Sequence, residues 1–351
     1  MIKIDLITGF LGSGKTTFIR KYAEFLMKKG WNIGILENDY GAVNVDMMLL
    51  QDLEGEQCEL EMVAGGCHRD CHRRRFKSKL IAMGMSGYDR VLIEPSGIYD
   101  TDEFFDVLHE EPLDQWYEIG NVIAIIDARL ETGLSAETEY LLASEVANAG
   151  CVVMSKSQEA SDQEIEHTIM HLNHALESVR CERRFESGDG GAILVKDWNE
   201  FTDSDFERFS ACGYVNESFQ KMGEEDEGFQ SVYFMNIRMS EERLCLAVKQ
   251  ILSDGVCGNV FRVKGFMRKA EEPDGQEADQ YFSDLCKNDA NGGKTEKDKD
   301  TSLLLNGSAW FQLNATRDDI TLQPIPVGQE VLIVIGEHLN EEAIRAHLGV
   351  E

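Results

Sequence analysis

Basic residues are scarce in this chain: 34 lysines and arginines stand against 64 aspartates and glutamates, a formal net charge of −30. Nonspecific binding to nucleic acid or to an anionic membrane needs a basic face, so neither is expected as a partner. No apolar run is long enough to span a bilayer. The opening MIKIDLITGF lacks the charged n-region and cleavage site of a signal peptide. The nine cysteines are scattered and odd in number, which argues for thiols or metal ligands over a disulfide framework. The expected compartment is the cytoplasm.

What is present begins with a core: 351 residues, 42% of them hydrophobic, suffice for two domains. In residues 2–17, IKIDLITGFLGSGKTT, the apolar Ile2, Ile4, Leu6 and Ile7 read as a buried strand. Gly9 to Thr16 is an unbroken G-x-x-x-x-G-K-[ST] phosphate loop. Phe18, Ile19, Tyr22, Phe25 and Leu26 then recur at helical spacing. Strand, loop and helix in this order form an anion site. The backbone of Gly9, Gly12, Ser13, Gly14 and Thr17 wraps the phosphates, and the helix N-terminus adds positive potential. Lys15 is expected to reach the β- and γ-phosphates, and Thr16 to hold Mg²⁺.

Further along, residues 31–36 (WNIGIL) read as a second strand, followed by a polar segment with Glu37, Asp39 and Asp46. These acids either hold an ion or form an ordinary solvated loop. Cys67-His68-Arg69-Asp70-Cys71-His72 would cluster two thiols and two imidazoles if helical, a soft N/S set suited to Zn²⁺. The alternative is two small buried or reactive cysteines with incidental histidines. Arg73, Arg74, Arg75, Lys77 and Lys79 are expected to pair with the chain's own carboxylates or to approach a phosphate. Residues 90–94 (RVLIE) end a third strand in Glu94, the form of a Walker B acid able to hold Mg²⁺ or position water, and Gly97 is placed to sense a γ-phosphate.

Strands at 122–126, 151–154 and 192–195, alternating with helices, imply a doubly wound, mainly parallel α/β sheet of the phosphate-loop NTPase class. His167, His171 and His174 share a helical face, read as solvated. Residues 213–228, rich in Gly, Glu and Ser, read as an acidic linker between a domain at 1–212 and a smaller α+β domain at 229–351. That second domain holds strands at 230–237, 259–268, 309–315, 320–323 and 330–335, helices at 241–252 and 341–348, and an acidic insertion at 271–306 expected to be flexible. It contains no phosphate or catalytic motif, which leaves binding or regulation as its role.

With these motifs in place, the chain resembles the CobW family of phosphate-loop GTPases, the group that includes the UreG and HypB metal-insertion proteins. GFLGSGKTT matches that family's phosphate loop, and Glu37-Asn38-Asp39-Tyr40-Gly41 is similar to its N-E-F-G segment. Glu94-Pro95-Ser96-Gly97 is similar to its E-x-S/T-G motif, Ile126-Asp127-Ala128 to its V-D-A strand end, and Leu172-Asn173 to its L-N-P. The second half, notably residues 258–266 and 330–348, resembles the CobW C-terminal domain. The resemblance implies a GTPase that handles a transition metal, usually Zn²⁺, as metallochaperone or insertase for a client metalloprotein; with no arginine finger evident from motif, low intrinsic turnover is expected. A homo-oligomer is compatible with it. An alternative is a hydrolysis-deficient module that senses nucleotide and metal.

Three departures stand out. The family's G-C-x-C-C metal motif is here Gly66-Cys67-His68-Arg69-Asp70-Cys71-His72, where imidazoles replace the missing thiolate. The base-reading N-K-x-D is here Ser155-Lys156-Ser157-Gln158. Losing the Asp carboxylate removes a charge-assisted bond to guanine, about ten- to a hundredfold in base preference; Glu159 is the candidate stand-in, by a one-residue slip. The histidine-rich linker of many members is absent.

Overall fold

The computed structural model describes residues 1–39, 45–64, 69–96, 101–130, 134–186, 192–215, 229–235, 237, 239–268, 310–317, 320–325 and 330–350. The chain divides into two compact units, Met1–Asp226 and Glu227–Glu351. Among the described residues no helix is long and apolar enough to cross a membrane.

The first unit runs β1 (Ile2–Thr8), α1 (Lys15–Lys28), β2 (Ile33–Asp39), α2 (Val45–Met48), β3 (Cys58–Ala64), α3 (Arg69–Met83), β4 (Arg90–Pro95), α4 (Thr101–Leu108), α5 (Leu113–Trp116), β5 (Tyr117–Asp127), α6 (Ala136–Ala147), β6 (Cys151–Ser155), α7 (Asp162–Ser178), β7 (Ile193–Val195) and α8 (Asp203–Ser210). The seven strands form one sheet in the order β3-β2-β4-β1-β5-β6-β7, with neighbours parallel. Helices cover both faces, so the central strands read as near-continuous apolar runs. Ile4 and Leu6 of β1 join a core with α3, α4, α6 and α7, while Ile7 joins another with α1 and α8. This is the doubly wound phosphate-loop NTPase fold, and its strand ends, from Thr8 to Ser155, open toward one side where the loops gather.

The sequence did not reveal β3. Its CELEMVA run alternates acids with apolar residues as an edge strand does, and Glu59 is exposed. The basic run after Cys71 meets the chain's own acids, as expected: Arg73 and Lys77 pair with Glu110 at 2.7 and 2.5 Å, and Lys79 with Glu61 at 2.7 Å. The solvated-face reading of the α7 histidines holds for His167 and His174. It fails for His171, whose Nε2 lies 2.6 Å from Glu139 Oε1 on α6 and bridges the two helices. Residues 213–215 are tied to this first unit, since Val122 N donates to the Gly213 carbonyl and Val215 N to that of Asn148.

A buried polar knot locks the middle of the sheet. Asp5 of β1 and Arg90 of β4 are 0% and 2% exposed, with Nη1 2.6 Å from Oδ2. Tyr22 Oη and Asn121 Nδ2 also donate to Asp5, each at 2.9 Å, and Arg90 donates to Tyr22 Oη and to the Ser210 carbonyl. Burial pushes the Asp5 carboxyl above its ordinary range against the pull of Arg90, Asn121 and Tyr22.

The second unit runs β8 (Phe229–Met235), α9 (Glu241–Ser253), β9 (Asn259–Arg268), β10 (Trp310–Ala315), β11 (Ile320–Ile325), β12 (Val331–Glu337) and α10 (Glu341–Leu348). Its sheet is antiparallel, in the order β11-β10-β9-β12-β8. Leu244, Val248 and Ile251 of α9 and Ile344 and Leu348 of α10 pack against Val260, Val263, Leu332 and Val334 of the sheet. β9 and β10 pair with Arg268 opposite Trp310. The expected insertion at 271–306 lies outside the described residues.

Arg90→Met is expected to lower unfolding free energy by about 3–5 kcal/mol, because it leaves Asp5 buried without its counter-charge. Asp5→Asn combined with Arg90→Met should recover most of that loss in urea unfolding followed by circular dichroism. A double variant no more stable than the single one would exclude the stranded charge as the cause.

Candidate functional site

The loop between β1 and α1 has the backbone its glycines allow. Gly9, Gly12 and Gly14 have φ of 144°, 77° and 98°. A Cβ on Gly9 would overlap the Ile125 carbonyl oxygen, so only glycine permits this approach to β5. Lys15, 6% exposed, donates from Nζ to the carbonyls of Gly9 at 2.6 Å and Phe10 at 3.3 Å, which places its ammonium over the loop. Ser13 Oγ is buried with no hydrogen-bond partner among the described residues. Helix α1 has no acid in its first turn and no side-chain cap. By contrast α7, α8, α9 and α10 each open with two acids. In so acidic a chain, an uncapped and acid-free helix start at the glycine loop leaves its N–H groups for an anion.

Thr16 meets Glu94. The threonine Oγ1 donates to Oε1 at 2.9 Å, joining the start of α1 to the end of β4. These two oxygens fit a Mg²⁺ bound to phosphate, in kind and in place. Glu37 of β2 is 3% exposed and stands in register with Glu94 across the β2–β4 ladder. Beside it, the side chain of Asn38 is wholly buried with no partner among the described residues. Gly97 lies outside the described residues, as do Tyr40, Gly41, Cys67 and His68. The backbone of Asp39 closes β2 opposite Ala64 of β3.

Of the expected transition-metal ligands, Glu37, Cys71 and His72 are described with their side chains. Cys71 is half-buried. His72 is fully buried, at the head of the stripe Phe76, Leu80 and Met83 by which α3 faces the core. Among the described residues these three do not bring three ligand atoms together.

The base-reading end lies beyond β5 and β6. Lys156 sits in the left-handed region at φ 53°, and its Nζ is 2.6 Å from Asp127 Oδ2. Asp127 therefore fixes the direction of the Lys156 ammonium. Ser155 is buried at the end of β6, and its Oγ donates to the Ile126 carbonyl at 3.4 Å. Gln158 and Glu159 are exposed. Glu159 is engaged by Arg129 at 2.8 Å and would have to leave it to face a base.

Two residues of this unit escaped sequence reasoning. Trp198 donates from Nε1 to the Met154 carbonyl at 2.8 Å and lays its ring against Gly14 and Phe18. Glu145 of α6 is 1% exposed, and its Oε2 has no partner among the described residues. Burial pushes its pKa up to about 8, against the pull of the Lys15 ammonium. The one available signal was a lone acid inside the apolar ASEVA stretch.

The raised Glu145 pKa has a definite sign. The folded chain keeps a proton that the unfolded chain loses above its ordinary range, so stability falls as pH rises from about 4.5 towards about 8. Glu145→Gln is therefore expected to be more stable than the parent at pH 8 than at pH 5, by on the order of 2–4 kcal/mol in the difference. Urea unfolding at the two pH values measures this, and an equal effect at both would exclude the buried acid.

The family model described as CobW/HypB/UreG, nucleotide-binding domain, matches residues 3–185. The zinc chaperone YjiA of Escherichia coli is 28% identical over 173 residues, 47% of this chain and 52% of its own. The zinc chaperone YeiR of the same organism is 30% identical over 165 residues, 46% of this chain and 49% of its own. The chain thus spans about half the length of the curated relatives it matches. Among solved structures, Zn(II)-bound YjiA GTPase from E. coli aligns over 99% of this chain and 98% of its own at 14% identity, with a TM-score of 0.32 that supports no inference about the site. The match over residues 3–185 takes in the glycine loop, Glu94 and the Asp127–Lys156 pair, and by it the chain belongs to the CobW/HypB/UreG family.

Proposed function

We propose that this protein is a nucleotide-switched metal handler of the cytoplasm, which binds and slowly hydrolyses GTP and delivers a transition metal, Zn²⁺ foremost, to a client metalloprotein. The observation that supports it most is the contact of Thr16 with Glu94, one strand away from Glu37 in the same register. The phosphate side of the site and the acid that opens the Glu37 to Asp46 segment thereby occupy neighbouring strand ends. β3, which leads to Cys67, lies beside β2. A ligand on either side biases the same loops, which is what coupling between nucleotide and metal requires.

In this reading Lys15 exchanges its Gly9 and Phe10 carbonyls for the β- and γ-phosphates, and the N–H groups of residues 12–17 hold the phosphate oxygens. Thr16 and Glu94 hold Mg²⁺, which when bound neutralises charge on the phosphates. Glu94 also stands where it can orient the attacking water. Slow turnover is expected because no motif supplies an arginine finger and Arg73, one of the arginines after Cys71, is held by Glu110. Asp127 positions Lys156, and Lys156 and Ser155 border the base.

A second reading, a nucleotide- and metal-sensing module without hydrolysis, is favoured by one feature: Gln158 is neutral, and Glu159 is paired with Arg129.

Titration of the full chain with labelled GTP and ATP, with and without Zn²⁺, together with phosphate release, separates the two. The parent should bind GTP and release phosphate at a rate that Zn²⁺ alters. Lys15→Ala should weaken binding by about ten- to a hundredfold, from loss of its charge-assisted bonds. Glu94→Gln should keep binding and lose about tenfold or more in phosphate release. Binding without release selects the second reading, and no nucleotide binding overturns both.

A further inference from the structure

The second unit contains a ligand cluster that the nucleotide site does not use. Directly after α9, residues 254–257 turn tightly. Asp254 Oδ1 accepts from Val256 N at 3.0 Å, and Cys257 N donates to the Asp254 carbonyl at 2.9 Å. His347, in the last turn of α10, brings Nε2 to 2.9 Å from Asp254 Oδ2. Cys257 is fully buried beside them. One carboxylate oxygen, one sulfur and one imidazole nitrogen lie within 4.8 Å of one another, and among the described residues this is the one such group of three.

We propose that Asp254, Cys257 and His347 form a binding site for a divalent transition metal, best matched by Zn²⁺, distinct from the phosphate loop and from the Cys67 to His72 segment. The donor set mixes sulfur, nitrogen and oxygen, which suits a borderline-soft ion and excludes Mg²⁺ and Ca²⁺, whose sites are built from oxygen. Donor atoms around a tetrahedral zinc stand about 3.3–3.6 Å apart, from its usual bond lengths. The Asp254–His347 pair reaches that spacing by opening about half an ångström from 2.9 Å, and the 4.8 Å limit on the cluster leaves the sulfur at most about 1.2–1.5 Å to close.

The frame that holds the donors is fixed. Gly258, at φ 98°, presses so closely on the strand end that a Cβ there would overlap the carbonyls of Glu337 and His338. The Cys257 carbonyl accepts from Asn340 N at 3.0 Å, which ties the turn to the start of α10. Gly349, in the left-handed region, caps α10 just beyond His347. The side chains of Asp254 and His347 are 39% and 24% exposed, while the sulfur is sealed in the core. Three protein ligands with a solvent-facing fourth position make a site from which a metal can be handed on, whereas structural zinc sites close all four positions. On binding, the Cys257 thiol forms the metal–sulfur bond and its proton passes to solvent.

The site does not depend on the proposed nucleotide function, and a test can keep the two apart. Full-length protein carrying Cys67→Ser and Cys71→Ser is titrated with Co²⁺ and followed by absorption. One equivalent should produce a thiolate-to-cobalt charge-transfer band, and Zn²⁺ should displace it. Cys257→Ser in that background should abolish the band, and His347→Ala, at a partly exposed position that leaves the core untouched, should weaken Co²⁺ affinity by at least about tenfold. The same titration on Lys15→Ala should be unchanged whether or not the protein binds nucleotide. Absence of a thiolate band in the Cys67/Cys71 variant, or a band indifferent to both Cys257→Ser and His347→Ala, overturns the proposal and leaves Asp254 and His347 as an ion pair beside a structural cysteine.

Discussion

One buried carboxylate sets the alignment on which the site depends. Asp5 sits in the central strand of a seven-stranded sheet and is held at once by Arg90 from β4, Tyr22 from α1 and Asn121 from β5. In a parallel sheet covered on both faces, side-chain alternation alone specifies register weakly, since apolar residues suit either face. A charged pair that can be satisfied in one register removes that freedom. The same register carries Glu94 to the level of Thr16 and of Glu37 at the far end of the strands. The polar knot and the phosphate site are thus two ends of one alignment.

The charge of the chain bears on this site through its distribution. A protein with a formal charge of −30 should repel a nucleoside triphosphate. The first turn of α1 is free of acids, Lys15 is aimed at the loop, and the helix dipole points the same way. Several other acids of this unit are given a cation or a proton. Asp127 takes Lys156, Glu159 takes Arg129, Glu110 takes Arg73 and Lys77, and Glu145 keeps its proton well above the ordinary carboxylate range.

Much of this was legible in the sequence because its signals are local. Strand, glycine loop and helix adjoin one another in residues 2–28, and Glu94 closes an apolar run, so their roles follow from a few neighbouring residues. The second sheet was legible for the same reason, with each strand a short apolar run bounded by turn residues. β3 was not, because an edge strand carrying Glu59 and Glu61 looks like a polar loop. Glu145 was hidden inside a helix buried on all sides, and the α7 histidines gave no sign that one of them would meet Glu139. The cluster of Asp254, Cys257 and His347 was beyond reach altogether: its ligands come from a turn and a helix far apart in the chain, and only the packing of α10 against that turn brings them together.

The pairing of β9 with β10 has a consequence of its own. Arg268 lies opposite Trp310, so the chain leaves the sheet and rejoins it at the same rung. The entropy of closing a connection between two such residues grows only with the logarithm of its length, roughly 0.6 kcal/mol for each doubling. A rung closed by the ladder's own hydrogen bonds therefore sets little demand on the length of the connection that joins its two residues.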